Sequence, residues 1–175
     1  LQDWRLHANP TDGTNSPTAL TDSNAIQVGA LAAISVPETE IAYGSLALGA
    51  DSATQTTTFQ NVGNQVIDVT VQGTDMTSGS NTLVASQEKF HHTSSTFDWA
   101  SGGGFSLTTT TPVAGNETNG CLNRDLAVRA VHGTGTEDEA IYWKLRVPSA
   151  QASGTYAGTT HVGSIASTAC TGTLY

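Results

Sequence analysis

Ile141, Trp143, Leu145 and Val147 alternate strictly with Tyr142, Lys144 and Arg146. Alternation at period two places the two sets on opposite faces of an extended chain, so 141–147 predicts a β-strand with one buried and one wet face. Pro148 ends it, "SAQASG" turns the chain, and "TYAGTTHV" runs back as a second strand. Trp143 shares the apolar face and is expected in the core. Tyr142, Lys144 and Arg146 form the exposed face, open to a neighbour. The same rule reads "TQTTTFQNVGNQVIDVTVQG", where Ile67, Val69 and Val71 alternate with Asp68 and Thr70. "NVGN" supplies a Gly-centred turn, so this segment is expected to be a hairpin.

Earlier, "AIQVGALAAISV" and "EIAYGSLAL" suit strands, because Gly29, Gly44 and Pro37 interrupt any helix of useful length. Between 73 and 120 the strand candidates are "NTLVA", "EKFHH" and "GFSLTTTT", and "DLAVRAV" from Asp125 resumes the alternation. No long segment carries a capped helical stripe. Short strands separated by turn signals predict an all-β antiparallel sandwich over 26–175. Residues 1–25, rich in Asn, Asp, Thr and Pro, show no sustained period and read as an extended N-terminal arm. Leu1, Trp4 and Leu6 are its candidate anchors, on this domain or on a neighbouring copy; both readings stand.

Fifteen acidic residues face six basic ones, a net charge of -9. Such a chain repels phosphate backbones and anionic lipid headgroups, so nucleic acid and membrane surfaces are excluded as expected partners. The longest apolar run, "ALAAISV" at 30–36, is far short of the roughly 20 residues that span a bilayer. Few lysines with abundant Thr and Asn favour an extracellular setting, and a first residue other than Met leads us to expect a mature chain freed of its signal peptide. Cys121 and Cys170 lack the close second ligand of a zinc site and are expected to form a disulfide, with free buried thiols the competing reading. Asn116-Glu117-Thr118 is a glycosylation sequon in a turn-like stretch.

"TTTFQNVGNQVIDVTVQG" and "WKLRVPSAQASGTYAGT" together resemble hairpins of immunoglobulin-like domains in prokaryotic surface proteins. The resemblance covers about 40 residues by its motifs and implies an immunoglobulin-like sandwich in an extracellular setting. It also implies that Val147-Pro148 ends one edge, that Gly154 permits a sharp bend, and that the Tyr156 hydroxyl bonds to main chain. It transfers no catalytic residue. Domains of this group occur in surface layers, adhesins and extracellular filaments.

Little in the chain points to chemistry. His91 and His92 are adjacent, so on a strand they face opposite sides; His7, His132 and His161 have no motif spacing. "TEDE" at 136–139 lacks the pattern of a calcium loop, and no nucleophile elbow or phosphate loop is present. No metal, no cofactor and no enzyme activity are expected. In "FDWASGGGF", Trp99 is a candidate platform for a sugar ring, with Asp98 bonding hydroxyls; the competing and favoured reading makes Phe97 and Trp99 a structural plug. The leading expectation is a non-enzymatic extracellular structural protein. It would self-associate into a surface filament or pilus-like polymer by strand addition, with Trp4 and Leu6, or Ile26 and Val28, filling a groove in the next subunit. The alternative is a carbohydrate-binding module or adhesin centred on Trp99.

Overall fold

The alternating run around Trp143 folds as a strand, Asp138–Leu145, in a computed structural model of the chain. The structure describes residues 3–4, 7–8, 20–21, 26–27, 29–92, 97–99, 103–128 and 138–171. Two compact units divide the chain, Leu1–Leu31 and Ala32–Tyr175.

In the first unit, β1 (Asp3–Trp4), β2 (His7–Ala8), β3 (Leu20–Thr21) and β4 (Ile26–Gln27) pair antiparallel, β1 with β4 and β2 with β3. Trp4 stands opposite Ile26, and His7 opposite Thr21. An extended backbone needs hydrogen-bond partners, and this segment finds them in itself. Ile26, expected to open the sandwich, therefore pairs with Trp4 instead. Leu6 and Val28 lie outside the described residues.

The second unit contains β5 (Ile34–Ser35), β6 (Gln55–Asn61), β7 (Ile67–Gly73), β8 (Met76–Ser78), β9 (Asn81–Leu83), β10 (Glu88–His91), β11 (Phe105–Ser106), β12 (Cys121–Leu126), β13 (Asp138–Leu145) and β14 (Thr160–Ala166). Described pairings are all antiparallel between these strands. A five-stranded sheet has the order β11-β10-β13-β6-β5, a three-stranded sheet the order β12-β7-β14, and β8-β9 form a small hairpin. The two larger sheets share one core in a sandwich-like, all-β arrangement. Phe59, Phe90, Ile141 and Trp143 come from the first, and Ile67, Val69, Val71, Leu122 and Leu126 from the second. Each strand contributes alternate residues, so the period-two pattern is what makes the faces bury together.

Two expected hairpins are not hairpins. β6 belongs to the five-stranded sheet and β7 to the three-stranded one; β13 and β14 are likewise split between sheets. The links 62–66 and 146–159 are arches that cross the core. Lying face to face lets the apolar sides of β6 and β7 bury against each other directly. Asn61, fully buried, holds the first arch: its Nδ2 donates to the carbonyls of Gln65, Leu126 and Ala127 at 2.8, 3.0 and 3.1 Å, and its Oδ1 accepts from Gly63 N. Two of these bonds satisfy backbone groups within the link itself, and two tie it to the end of β12.

"EIAYGSLAL" forms no strand; residues 36–47 run as an irregular strap, because Pro37 removes a donor and Gly44 takes φ 71°. "DLAVRAV" is cut short in the same way: β12 ends at Leu126 after an irregularity at which Asp125 adopts φ 43°. The buried carboxylate of Asp68 supports that irregularity, accepting from the backbone N–H of Arg124 at 2.9 Å and of Asp125 at 3.1 Å. Its second oxygen accepts from Cys170 N at 3.2 Å, beside the Cys121–Cys170 disulfide, whose Cα atoms are 5.3 Å apart.

Candidate functional site

Among the described residues the three-stranded sheet ends at β14. A groove of about 1090 Å³ lies between the inner face of the five-stranded sheet and Thr160 and Val162 of β14. Its floor is Trp143 and Leu145 of β13, Thr57 of β6 and Glu88 of β10. Trp143 is fully buried and its Nε1–H donates to Thr57 Oγ1 at 2.9 Å, so the indole is core, as its place in the alternation predicts.

One wall is the strap 36–48, with Val36, Ile41 and Tyr43 packed on the core. Glu38 anchors it, its carboxylate accepting from Thr58 N at 2.9 Å and Thr58 Oγ1 at 2.7 Å. A side chain here takes the place of a sheet neighbour on β6. The other wall is 151–159. There the Tyr156 hydroxyl donates to the Ala152 carbonyl at 2.9 Å and accepts from Gln151 Nε2 at 2.6 Å, the main-chain bond expected of this tyrosine. Gly154 is required by close approach to Ser78, which a Cβ would meet, and not by a positive φ.

Glu88 is the chemically distinct group in the groove. It is 1% exposed, on the same side of β10 as Phe90, and its Oε1 accepts from the Tyr43 hydroxyl at 2.6 Å. Burial pushes its carboxyl up to about 7, with the Tyr43 bond pulling the other way. Burial and the neighbouring Glu88 charge push the Tyr43 hydroxyl upward in turn. Sequence reasoning missed Glu88; its only signal is that an acidic residue occupies an inward position of "EKFHH".

The opposite face of the five-stranded sheet is not open as expected. Residues 97–99 cover it, and Tyr142, Lys144 and Arg146 are all half-buried. Lys144 Nζ donates to the Phe97 carbonyl at 2.6 Å, and Arg146 pairs with Asp51 through bonds of 2.5 and 2.7 Å. Trp99 is 9% exposed and sits between Lys89 Nζ, 4.8 Å from the ring centroid, and Arg146 Cζ at 5.4 Å. It is a cover held by cation–π contacts, not a displayed stacking platform. Asp98, beside it, is exposed.

His91 and His92 also depart from expectation: their rings stack 5.5 Å apart at 18°. β10 ends at His91, so alternation no longer dictates where His92 points. His92 is 6% exposed, and burial, with Arg124 and His91 nearby, pushes it down to about 4. Among the described residues no three His, Cys, Asp or Glu side chains converge to hold a metal ion. Asn116 is exposed ahead of a 3₁₀ turn, Glu117–Asn119, with Thr118 exposed beside it. His132, Glu137 and the side chains of residues 1–28 lie outside the description. No helix among the described residues is long and apolar enough to cross a membrane.

Compared with known families, curated proteins and solved structures, the chain finds no match.

Proposed function

We propose that this chain is a non-enzymatic structural protein of the cell exterior, a subunit that polymerises by strand addition into a surface filament or pilus-like fibre. The observation that carries this reading is the outer edge of β14. β14 is seven residues long, keeps continuous register with β7 from Thr160 to Ala166, and has no charged residue and no Pro. Among the described residues no strand pairs with its other side. Folded proteins normally blunt such an edge. The other edges here are blunted: β5 and β11 are two residues each, Pro37 follows β5, and β12 carries an irregularity with Arg124 and Asp125.

A second copy supplies a suitable partner. The described strands of the Leu1–Leu31 unit are two-residue pairs, and a two-stranded piece of this size is marginal by itself. Its sequence alternates around Trp4 and Leu6 and again around Ile26 and Val28, the pattern an acceptor groove needs. Such a head-to-tail contact does not close and propagates. The Cys121–Cys170 disulfide suits an oxidising exterior, and an immunoglobulin-like sandwich of the prokaryotic surface type is the fold reading we attach to this role. The glycan-binding alternative loses its platform with the burial of Trp99.

Electron microscopy of the purified native protein tests the proposal, with Ser164→Lys as the key variant. Ser164 stands opposite Val69 and so points inward, where a charge blocks edge pairing. Filaments from the native chain, and folded monomers from both Ser164→Lys and a chain lacking residues 1–25, are expected. Native protein that stays monomeric at high concentration defeats the reading.

A further inference from the structure

The side chains of a strand added beside β14 have one place to go. Thr160 and Val162 line the groove, and Val162 packs on the core, so the inward face of β14 opens into that space. A donated strand continuing the sheet would project alternate residues over the same floor. The floor is apolar at Trp143 and Leu145 and ionisable at one point, Glu88.

We propose that the groove is the side-chain cleft of the strand acceptor and that filling it is coupled to uptake of one proton at Glu88. This rests on the strand-addition reading above. Glu88 is 1% exposed, so the groove acts on it through the medium beside it and not by direct contact with solvent. Side chains of an incoming strand replace solvent in the groove and lower the dielectric around the carboxyl, which favours the neutral acid. The proton comes from solvent and no other bond changes. Tyr43 remains a donor to Oε1, and the acid gains an O–H donor that the carboxylate lacks.

The charged and titratable groups on the elements packed around the groove leave burial as the dominant influence on Glu88. The strap contributes Glu38 and Glu40 as well as Tyr43, and the opposite wall contributes Tyr156. Asp75, ahead of β8, accepts from Ala85 N at 2.8 Å, and His161 on β14 is exposed. On β10 and β13 the cations Lys89, Lys144 and Arg146 lie on the other face of the sheet. The cleft side therefore holds carboxyl groups, with no Lys or Arg among the described lining residues to hold Glu88 ionised. Its pKa of about 7 in the open groove sets the range in which coupling is visible.

The test is the critical concentration for assembly of the full chain, measured by pelleting from pH 5.5 to 8.5. For the native protein it should rise above about pH 7, approaching tenfold per pH unit. Glu88→Gln should remove that rise and assemble as the native chain does at low pH. Tyr43→Phe deletes the bond that stabilises the carboxylate, so the onset should move to higher pH, by on the order of one unit. This second variant decides the matter if Glu88→Gln misfolds. A native critical concentration that stays flat across the range, an unchanged slope in Glu88→Gln, or an unmoved onset in Tyr43→Phe overturns proton coupling while leaving strand addition intact. Absence of pelleting by the native chain at every pH overturns strand addition and this inference with it.

Discussion

The Tyr43 hydroxyl donates to Glu88 Oε1 at 2.6 Å, joining the strap that walls the groove to the strand that floors it. Glu88 is 1% exposed and titrates at about 7 rather than 4.5. The folded chain thus holds this proton more tightly than the unfolded one. The stability it contributes is complete below about pH 4.5 and is lost as pH rises to about 7.

His92 works in the opposite sense. Its folded value of about 4 lies below 6.5, so its contribution is present above pH 6.5 and lost as pH falls to about 4. The two slopes, each about 1.4 kcal/mol per pH unit, overlap and largely cancel between pH 4.5 and 6.5. Urea melts should therefore show a nearly flat native profile, stability rising with pH in Glu88→Gln, and stability falling with pH in His92→Gln. Parallel profiles for the native chain and both variants would refute the opposed pair.

Thr57 is 4% exposed and accepts the Trp143 indole N–H at 2.9 Å. Thr57→Val keeps the shape and leaves a buried donor unpaired, for a loss of about 1–3 kcal/mol in the denaturant midpoint. Thr57→Ser, which retains the oxygen, should lose less. Equal losses would mean that the bond contributes nothing.

The Cys121–Cys170 bridge closes a separation of 49 residues. Replacing both cysteines by Ala should cost about 4 kcal/mol in the chain-entropy picture. Asp68 still accepts from Cys170 N through the backbone, so the C-terminal end should stay seated in the variant. Proteolysis confined to residues after Ala166 would show instead that the disulfide alone holds it.

Trp99→Ala removes a ring between Lys89 and Arg146 and should cost about 3 kcal/mol. Asp51→Asn, which weakens only the solvent-screened Arg146 pair, should lower the melting temperature far less than Trp99→Ala does. Thermal melts separate them. A Trp99→Ala chain that melts like the native one but no longer binds glycan arrays would restore Trp99 as a ligand platform.

Much of the fold was legible because strand formation is a local property. Ile141, Trp143 and Leu145 announce an inward face by alternation alone, and all three are buried to within a few per cent. Ile67, Val69 and Val71 do the same, and the resemblance of the 143–159 stretch to immunoglobulin-like hairpins implied the Tyr156 main-chain bond. The disulfide was legible too, from two cysteines that lack the close second ligand of a zinc site.

Pairing was not legible. Alternation says that β6 and β7 each have an apolar side, and is silent on whether those sides lie side by side in one sheet or face to face across a core. Here Asn61 decides for the arch, by bonding to carbonyls of Leu126 and Ala127, 65 and 66 residues away. The outward set on β13 was correctly outward, yet residues 97–99 cover it through contacts no periodicity encodes. Glu88 is the sharpest case. Its inward position follows from its place in β10, but its meaning depends on Tyr43, 45 residues away on a strap that Pro37 and Gly44 keep out of the sheet. From the sequence alone came most of the strands and their faces, because φ/ψ preference and side-chain alternation act over a few residues, and the disulfide, from the cysteine count and spacing. Only the tertiary structure decided sheet membership, the β14 edge that no described strand covers and the groove beside it, because these arise from long-range hydrogen bonds and burial between segments far apart in the chain.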